Sequence, residues 1–242
     1  MNFDRSFAIS VRLVRQIIKD HRSLALILAA PIVVMSLVGF SLGEQEALLN
    51  RIAPPLVGVF VLFFTFLLTG VSFLRERSEG TLERLQITPV SRADILIGYL
   101  CGFLLFAMLQ STIILGYTVL VLPISYQGDI WQVFLVLILL TVVAVSLGIL
   151  VSTFADNEFQ VVQFIPVIIL PQVFLTGVIV PVEDMPLVLE KISVVLPLRY
   201  AVDILTGIML YGHDLQDFLT EMIILTGFCG VFLTGASLTV RK

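Results

Sequence analysis

The chain has 242 residues, with 14 Lys+Arg, 18 Asp+Glu and a formal net charge of −4. Hydrophobic residues make up 58% of it and charged residues 13%, against roughly 45–50% and roughly 25% in soluble domains. That balance excludes a soluble fold, a disordered chain and a disulfide scaffold, gives no ground for nucleic-acid binding, and leaves a polytopic all-α membrane protein with about six spans.

Residues 1–23 come first. Phe3, Phe7, Val11, Val14 and Ile18 recur at helical spacing. Arg5, Arg12, Arg15, Lys19 and Arg22 fall largely off that stripe. The pattern predicts an amphipathic helix lying on the bilayer surface, in contact with membrane lipids. It is either an elbow that positions the first span and touches a partner, or a plain anchor. Six apolar runs follow: 24–42, 53–74, 95–122, 131–154, 159–180 and 219–238. Backbone in lipid must bond to itself, so runs of this length are helices. Nothing shows the ~10-residue alternation of a β-barrel. The lead before the first run is too long for a secretory leader, so that run is an uncleaved span. Cys101 and Cys229 lie inside apolar runs and read as free, small packing residues.

The loop 75–94, between spans 2 and 3, is the most charged stretch. Arg75 and Glu79 are four apart, and Leu74, Leu82 and Leu85 can share a narrow face. The spacing predicts a short helix over 75–86, ended at Thr88-Pro89. Ser91 with Asp94 three residues on has capping-box spacing and opens span 3. The loop is either a structured docking element or a solvated connector.

Span 5 carries Pro166 and Pro171, which favour kinks. Its Gln160, Gln163 and Gln172 either line a pathway or bond neighbouring helices. Between spans 5 and 6, residues 182–211 hold two apolar segments too short to cross a bilayer. Pro186 suits a helix start and Pro197 separates the segments. Arg199 and Asp203 are spaced to pair. The segment reads as a hairpin dipping into the outer leaflet, or as a surface-lying pair. Gly39-xxx-Gly43, Gly98-xxx-Gly102 and the Thr226, Gly230, Thr234 stripe fit tight helix packing, within one chain or between two.

Six spans place the N-terminal arm, the loop 75–94 and the C-terminus on one face, with 11 of the 14 basic residues. The other face has Arg51, Lys191 and Arg199. The positive-inside rule then puts both termini in the cytoplasm. The chain has no G-x-x-x-x-G-K-[ST], HExxH, CxxC or GxSxG, so it is not expected to be an enzyme by itself or to bind a metal. No acidic or basic residue lies at the centre of a span, which weakens ion-coupled transport.

Two segments carry a resemblance. Arg75-Glu-Arg-Ser-Glu-Gly-Thr-Leu-Glu-Arg-Leu85 followed by Thr88-Pro89 resembles the signature of ABC-2-type transporter permeases. Leu175-Thr-Gly, Met185-Pro186 and Leu196-Pro-Leu-Arg-Tyr-Ala-Val-Asp203 resemble that family's second characteristic region. The resemblance implies one transmembrane permease domain over residues 1–242, in the cell (inner) membrane of a prokaryote. It implies a dimer, and a separate cytoplasmic ABC ATPase that carries ATP and Mg. No cofactor is expected on this chain. The loop after span 2 corresponds to the coupling helix that seats on the ATPase, a role that falls on Glu76, Gly80, Thr81, Leu82, Glu83 and Leu85, flanked by Arg75, Arg77 and Arg84. Pro186, Pro197, Arg199, Tyr200 and Asp203 belong to the segment matching the outer re-entrant helices. The function implied is the permease of an ATP-driven exporter. The alternatives are a self-contained channel or secondary transporter, and a non-transporting membrane scaffold.

Overall fold

Helices account for all the regular secondary structure among the described residues, as long apolar runs require. The computed structural model describes residues 3–87 and 90–239, excepting the side chains of Arg22, Ser23, Glu83, Gln86, Arg92 and Thr239. In chain order the helices are α1 (Phe3–Lys19), α2 (His21–Ser41), α3 (Glu46–Ser78), α4 (Thr81–Gln86), α5 (Arg92–Val121), α6 (Ile130–Ser152), α7 (Glu158–Leu175), α8 (Leu187–Ser193), α9 (Pro197–Tyr211) and α10 (Leu219–Thr239). Short 3₁₀ turns lie at Val182–Asp184 and Leu215–Phe218.

Six of these are long and apolar enough to cross a membrane: Leu24–Ser41, Glu46–Ser78, Ala93–Val121, Ile130–Ser152, Glu158–Leu175 and Leu215–Leu238. Each matches one expected run, with shifts that have local causes. The second is 33 residues long and continues through Arg75, Glu76 and Arg77 to Ser78. Charge lowers hydropathy but does not stop a helix. Gly80, at φ +69°, does stop it. The expected helix over 75–86 is therefore two pieces, the end of α3 and the separate α4. The fifth run stops at Leu175 rather than near 180, where Gly177 adopts φ +86°. Pro166 and Pro171 sit inside α7 without ending it. Ser91 and Asp94 close the expected capping box at the start of α5, with bonds of 3.2 and 3.1 Å. Thr88 and Pro89, expected to end the short helix, lie outside the described residues.

The helices α3 and α6 form the centre of the bundle. Val57, Leu62 and Phe66 of α3 meet Val136, Leu140 and Val143 of α6 in one core, which Leu198, Leu205 and Ile208 of α9 extend. A Cβ on Gly148 would stand 2.9 Å from that of Thr69, so glycine permits this approach of α6 to α3. α2, α7 and α10 are peripheral and present bare apolar faces, among them Phe40, Val167 and Ile223. In a multi-pass membrane protein lipid or another helix covers such faces.

The helices alternate in direction, so α1, α4 and the later part of α10 gather at one end. Ala236 of α10 packs in the same cluster as Ile9 of α1 and Leu82 of α4. This end carries Arg12, Arg15, Lys19, Arg75, Arg77 and Arg84 and is called the basic end below. At the opposite end α8 and α9 meet at 90°. Pro197 begins α9, and Gly212 at φ +67° closes it, with the His213 N–H donating to the Gly207 carbonyl at 3.1 Å.

The small-residue motifs part company. Gly98 and Gly102 receive Ile9 and Leu13 of α1, so that motif serves packing within the chain. Gly39 faces Leu122 at the end of α5. Gly230 has no atom within 4 Å of an added Cβ, and Thr226 and Thr234 are exposed, so the α10 stripe points outward. Cys229 is buried, as a packing residue should be, whereas Cys101 is exposed on α5.

Candidate functional site

The basic end is built on the junction of α3 and α4. Gly80 turns the chain, and its carbonyl accepts the first bond of α4 from the Arg84 N–H at 3.1 Å. In α4, Leu82 is buried and Leu85 half-buried against a cluster containing Ile9, Leu13, Phe73, Ile95 and Tyr99. α4 thus sits on the same apolar bed as α1 and α5. Leu74 belongs elsewhere: it packs with Ala155 and Val161, not with Leu82 and Leu85 as a single helix face would have it. Glu79, Arg84 and Ile87 point outward, and Ile87 is 87% exposed. Thr81 is half-buried, and the Glu83 side chain lies outside the described residues.

Arg75, Glu76 and Arg77 turn inward and tie helices together. Arg75 reaches Glu158 of α7 at 3.0 Å and Asp20 at 3.4 Å, instead of Glu79. Arg77 donates to the carbonyl of Ser152 at the end of α6, at 3.0 Å. A guanidinium there suits the negative end of a helix. Glu76 is 1% exposed. Its Oε2 accepts from Arg12 of α1 at 2.6 Å and from the Tyr99 hydroxyl of α5 at 2.5 Å. Arg12 also donates to the Tyr99 oxygen at 2.9 Å. Burial works against the Arg12 charge, but the hydrogen bond Arg12 donates to Glu76 and the attraction of the Tyr99 oxygen and the Glu76 carboxylate outweigh it and raise its pKa. The three residues bind α1, α3 and α5 into one body. Sequence spacing gave no sign of this, because Arg12 lies 64 residues from Glu76 and Tyr99 lies 23.

The α1 helix also differs in its faces. Ser6, Ile9, Leu13 and Ile17 are its buried side, laid on Gly98 and Gly102. The expected apolar stripe is a second face, bare at Phe3, Phe7 and Ile18, with Phe3 stacked on Phe7, and half-buried at Val14, which packs on the same cluster as Ile9.

At the opposite end a cleft of about 650 Å³ opens beside α9. Arg51, Thr176, Glu183, Glu190, Arg199 and Asp203 line part of it. Arg199 and Asp203 approach to 3.8 Å, as their spacing suggests, but Arg199 bonds more closely to the Ser193 hydroxyl, at 2.6 Å. Tyr200 donates to the Val194 carbonyl at 2.7 Å and fixes the bend between α8 and α9. Pro186 precedes α8 and Pro197 starts α9, as expected. Gln172 accepts from the Leu198 N–H at 3.3 Å and donates to the Ile168 carbonyl at 3.2 Å. It is a buried helix-to-helix bond. Gln160 caps its own loop, and Gln163 is exposed.

Residues 5–210 match the family described as ABC-2 type transporter. The chain is 26% identical over 182 residues to the probable multidrug ABC transporter permease YbhR of Escherichia coli, covering 74% of this chain and 50% of that protein. It is 28% identical over 163 residues to the probable multidrug ABC transporter permease YbhS of the same organism, covering 67% and 43%. ABC transporter G family member 20 of Dictyostelium discoideum is 27% identical over 168 residues, covering 69% of this chain and 23% of that protein. The chain thus spans about half the length, or less, of these relatives.

Proposed function

The chain belongs to the ABC-2 type transporter family, and on that premise we propose that this membrane subunit is the permease of an ATP-driven exporter. It works as a dimer, with a separate cytoplasmic ATPase that binds ATP and Mg. It lies in the inner membrane of a prokaryote with the basic end in the cytoplasm. The observation that carries the reading is the seat of α4, with two leucines on the bed shared with α1 and α5 and with Glu79, Arg84 and Ile87 turned outward. These 242 residues hold no P-loop, which fits an ATPase outside them, and this face is the one it can push.

The mechanism follows from the packing. ATP closes two ATPase subunits, and their motion displaces α4. Through Leu82, Leu85 and the Glu76 triad that push reaches α3, α1 and α5 together. The central helices then shift between two packed arrangements, which the ATPase favours differently in its two states. The bent pair α8–α9 is re-entrant in the outer leaflet and stands beside the exit. The names of the Escherichia coli relatives make multidrug substrates the first class to screen.

The test is co-purification with the ATPase. Ile87→Asp and Glu83→Arg should each cut ATPase recovery by tenfold or more, about 1.4 kcal/mol of binding, while the permease stays monodisperse. Unchanged recovery and unchanged transport would remove the coupling role. Flux through liposomes holding this chain alone would favour a self-contained channel.

A further inference from the structure

Along α1 the positions Phe3, Phe7, Val11, Arg15 and Lys19 form one ridge at four-residue spacing. The ridge is apolar over its first three members and cationic over its last two. A shallow, open groove runs along it, lined by α1 residues alone, Phe7, Val11, Arg12, Arg15 and Lys19 among them. Arg15 and Lys19 are exposed, and neither has an ion-pair partner among the described residues. The opposite side of α1 is already filled by α5, so the groove faces away from the bundle.

We propose that this groove binds the headgroup of an anionic phospholipid of the surrounding leaflet, with the phosphate at Arg15 and Lys19 and the glycerol and upper acyl region against Phe7 and Val11. Three observations favour lipid over another anion. Cations and bare aromatic surface share one groove, which suits an amphiphile. Phe3 is 81% exposed and Phe7 60%, more apolar surface than a water-facing helix keeps bare. The apolar helix α2 begins two residues after Lys19, so the groove sits where lipid meets water. The inference rests on the membrane placement of α2 and is independent of any ATPase.

The chain has one tryptophan, Trp131, at the far end of the bundle. Trp131→Phe with Phe7→Trp places a single reporter in the groove. The full chain is reconstituted in phosphatidylcholine vesicles that carry, at equal mole fraction, brominated phosphatidylglycerol or brominated phosphatidylcholine. The brominated anionic lipid should quench far more strongly. Arg15→Gln and Lys19→Gln should each weaken its association about fivefold, and concentrated NaCl should level the two lipids. Inorganic phosphate at matched ionic strength should do no more than NaCl. Equal quenching by the two lipids, or an excess that survives the double substitution, would overturn the proposal. So would removal of the excess by phosphate where NaCl leaves it, because the source would then be a free anion. Native mass spectrometry of the chain with its own Phe7 gives the second reading. Phosphatidylglycerol adducts should persist in it and be lost from Arg15→Gln/Lys19→Gln, and equal retention would count against the groove.

Discussion

Glu76 shows how far one residue can be read without its partners. Its place in Arg75-Glu-Arg puts it in the charged stretch for which we propose a coupling role, yet the structure buries it beneath Arg12 and Tyr99. The two ends of this ion pair are not equivalent. Arg12 is 36% exposed and Glu76 1%. Glu76→Gln leaves a cation that water can reach, so its cost is modest, about 1 kcal/mol. Arg12→Ala strands a buried carboxylate with one hydroxyl donor and should cost about 3 kcal/mol. Arg12→Met with Glu76→Met removes both charges and should recover most of that loss. Thermal unfolding of the detergent-solubilised protein checks the order. If Glu76→Gln proves the more damaging, the buried carboxylate is not the vulnerable partner.

Among the elements, those with local signals were legible. Six apolar runs, the Ser91–Asp94 capping box and the break at Pro197 appear where the sequence places them. The packed face of α1 was not, because both of its non-basic faces are rich in apolar residues. The longer stripe stays bare at Phe3, Phe7 and Ile18, while the face with Ile9 and Leu13 packs. The deciding information lies in Gly98 and Gly102, on a helix much later in the chain. Apolar surface that lipid can cover gains little from being hidden in protein, so close fit decides which face packs. The two glycines should differ in tolerance. An added Cβ on Gly98 meets the Ile9 Cβ at 2.7 Å and the Ser6 carbonyl oxygen at 2.9 Å. On Gly102 it meets the movable tip of Leu13, also at 2.7 Å. Gly98→Ala should therefore destabilise by about 2 kcal/mol, and Gly102→Ala by less than about 1. Cysteine cross-linking between α1 and α5 would register the displacement, and equal losses at the two positions would refute this account of the packing.

At the scale of the whole molecule, the proposed coupling depends on which end of the bundle lies inside the cell. The alternation of six long helices gathers α1, α4 and the later part of α10 at one end. It leaves the α8–α9 bend and the segment before α6 at the other. The basic residues follow the same division, and Lys and Arg are the residues that hold a loop in the cytoplasm. Packing and charge thus gather the same elements at one end, and labelling from outside the cell decides which side that end faces. Asp129→Cys, in a background with Cys101 and Cys229 changed to Ala, should react with an impermeant maleimide on intact cells, because Asp129 is exposed at the end opposite the basic one. Glu79→Cys, exposed beside α4, should react only after the membrane is opened. The reverse pattern would place α4 outside, where no ATPase could reach it. The coupling reading would then fail while the fold stood unchanged.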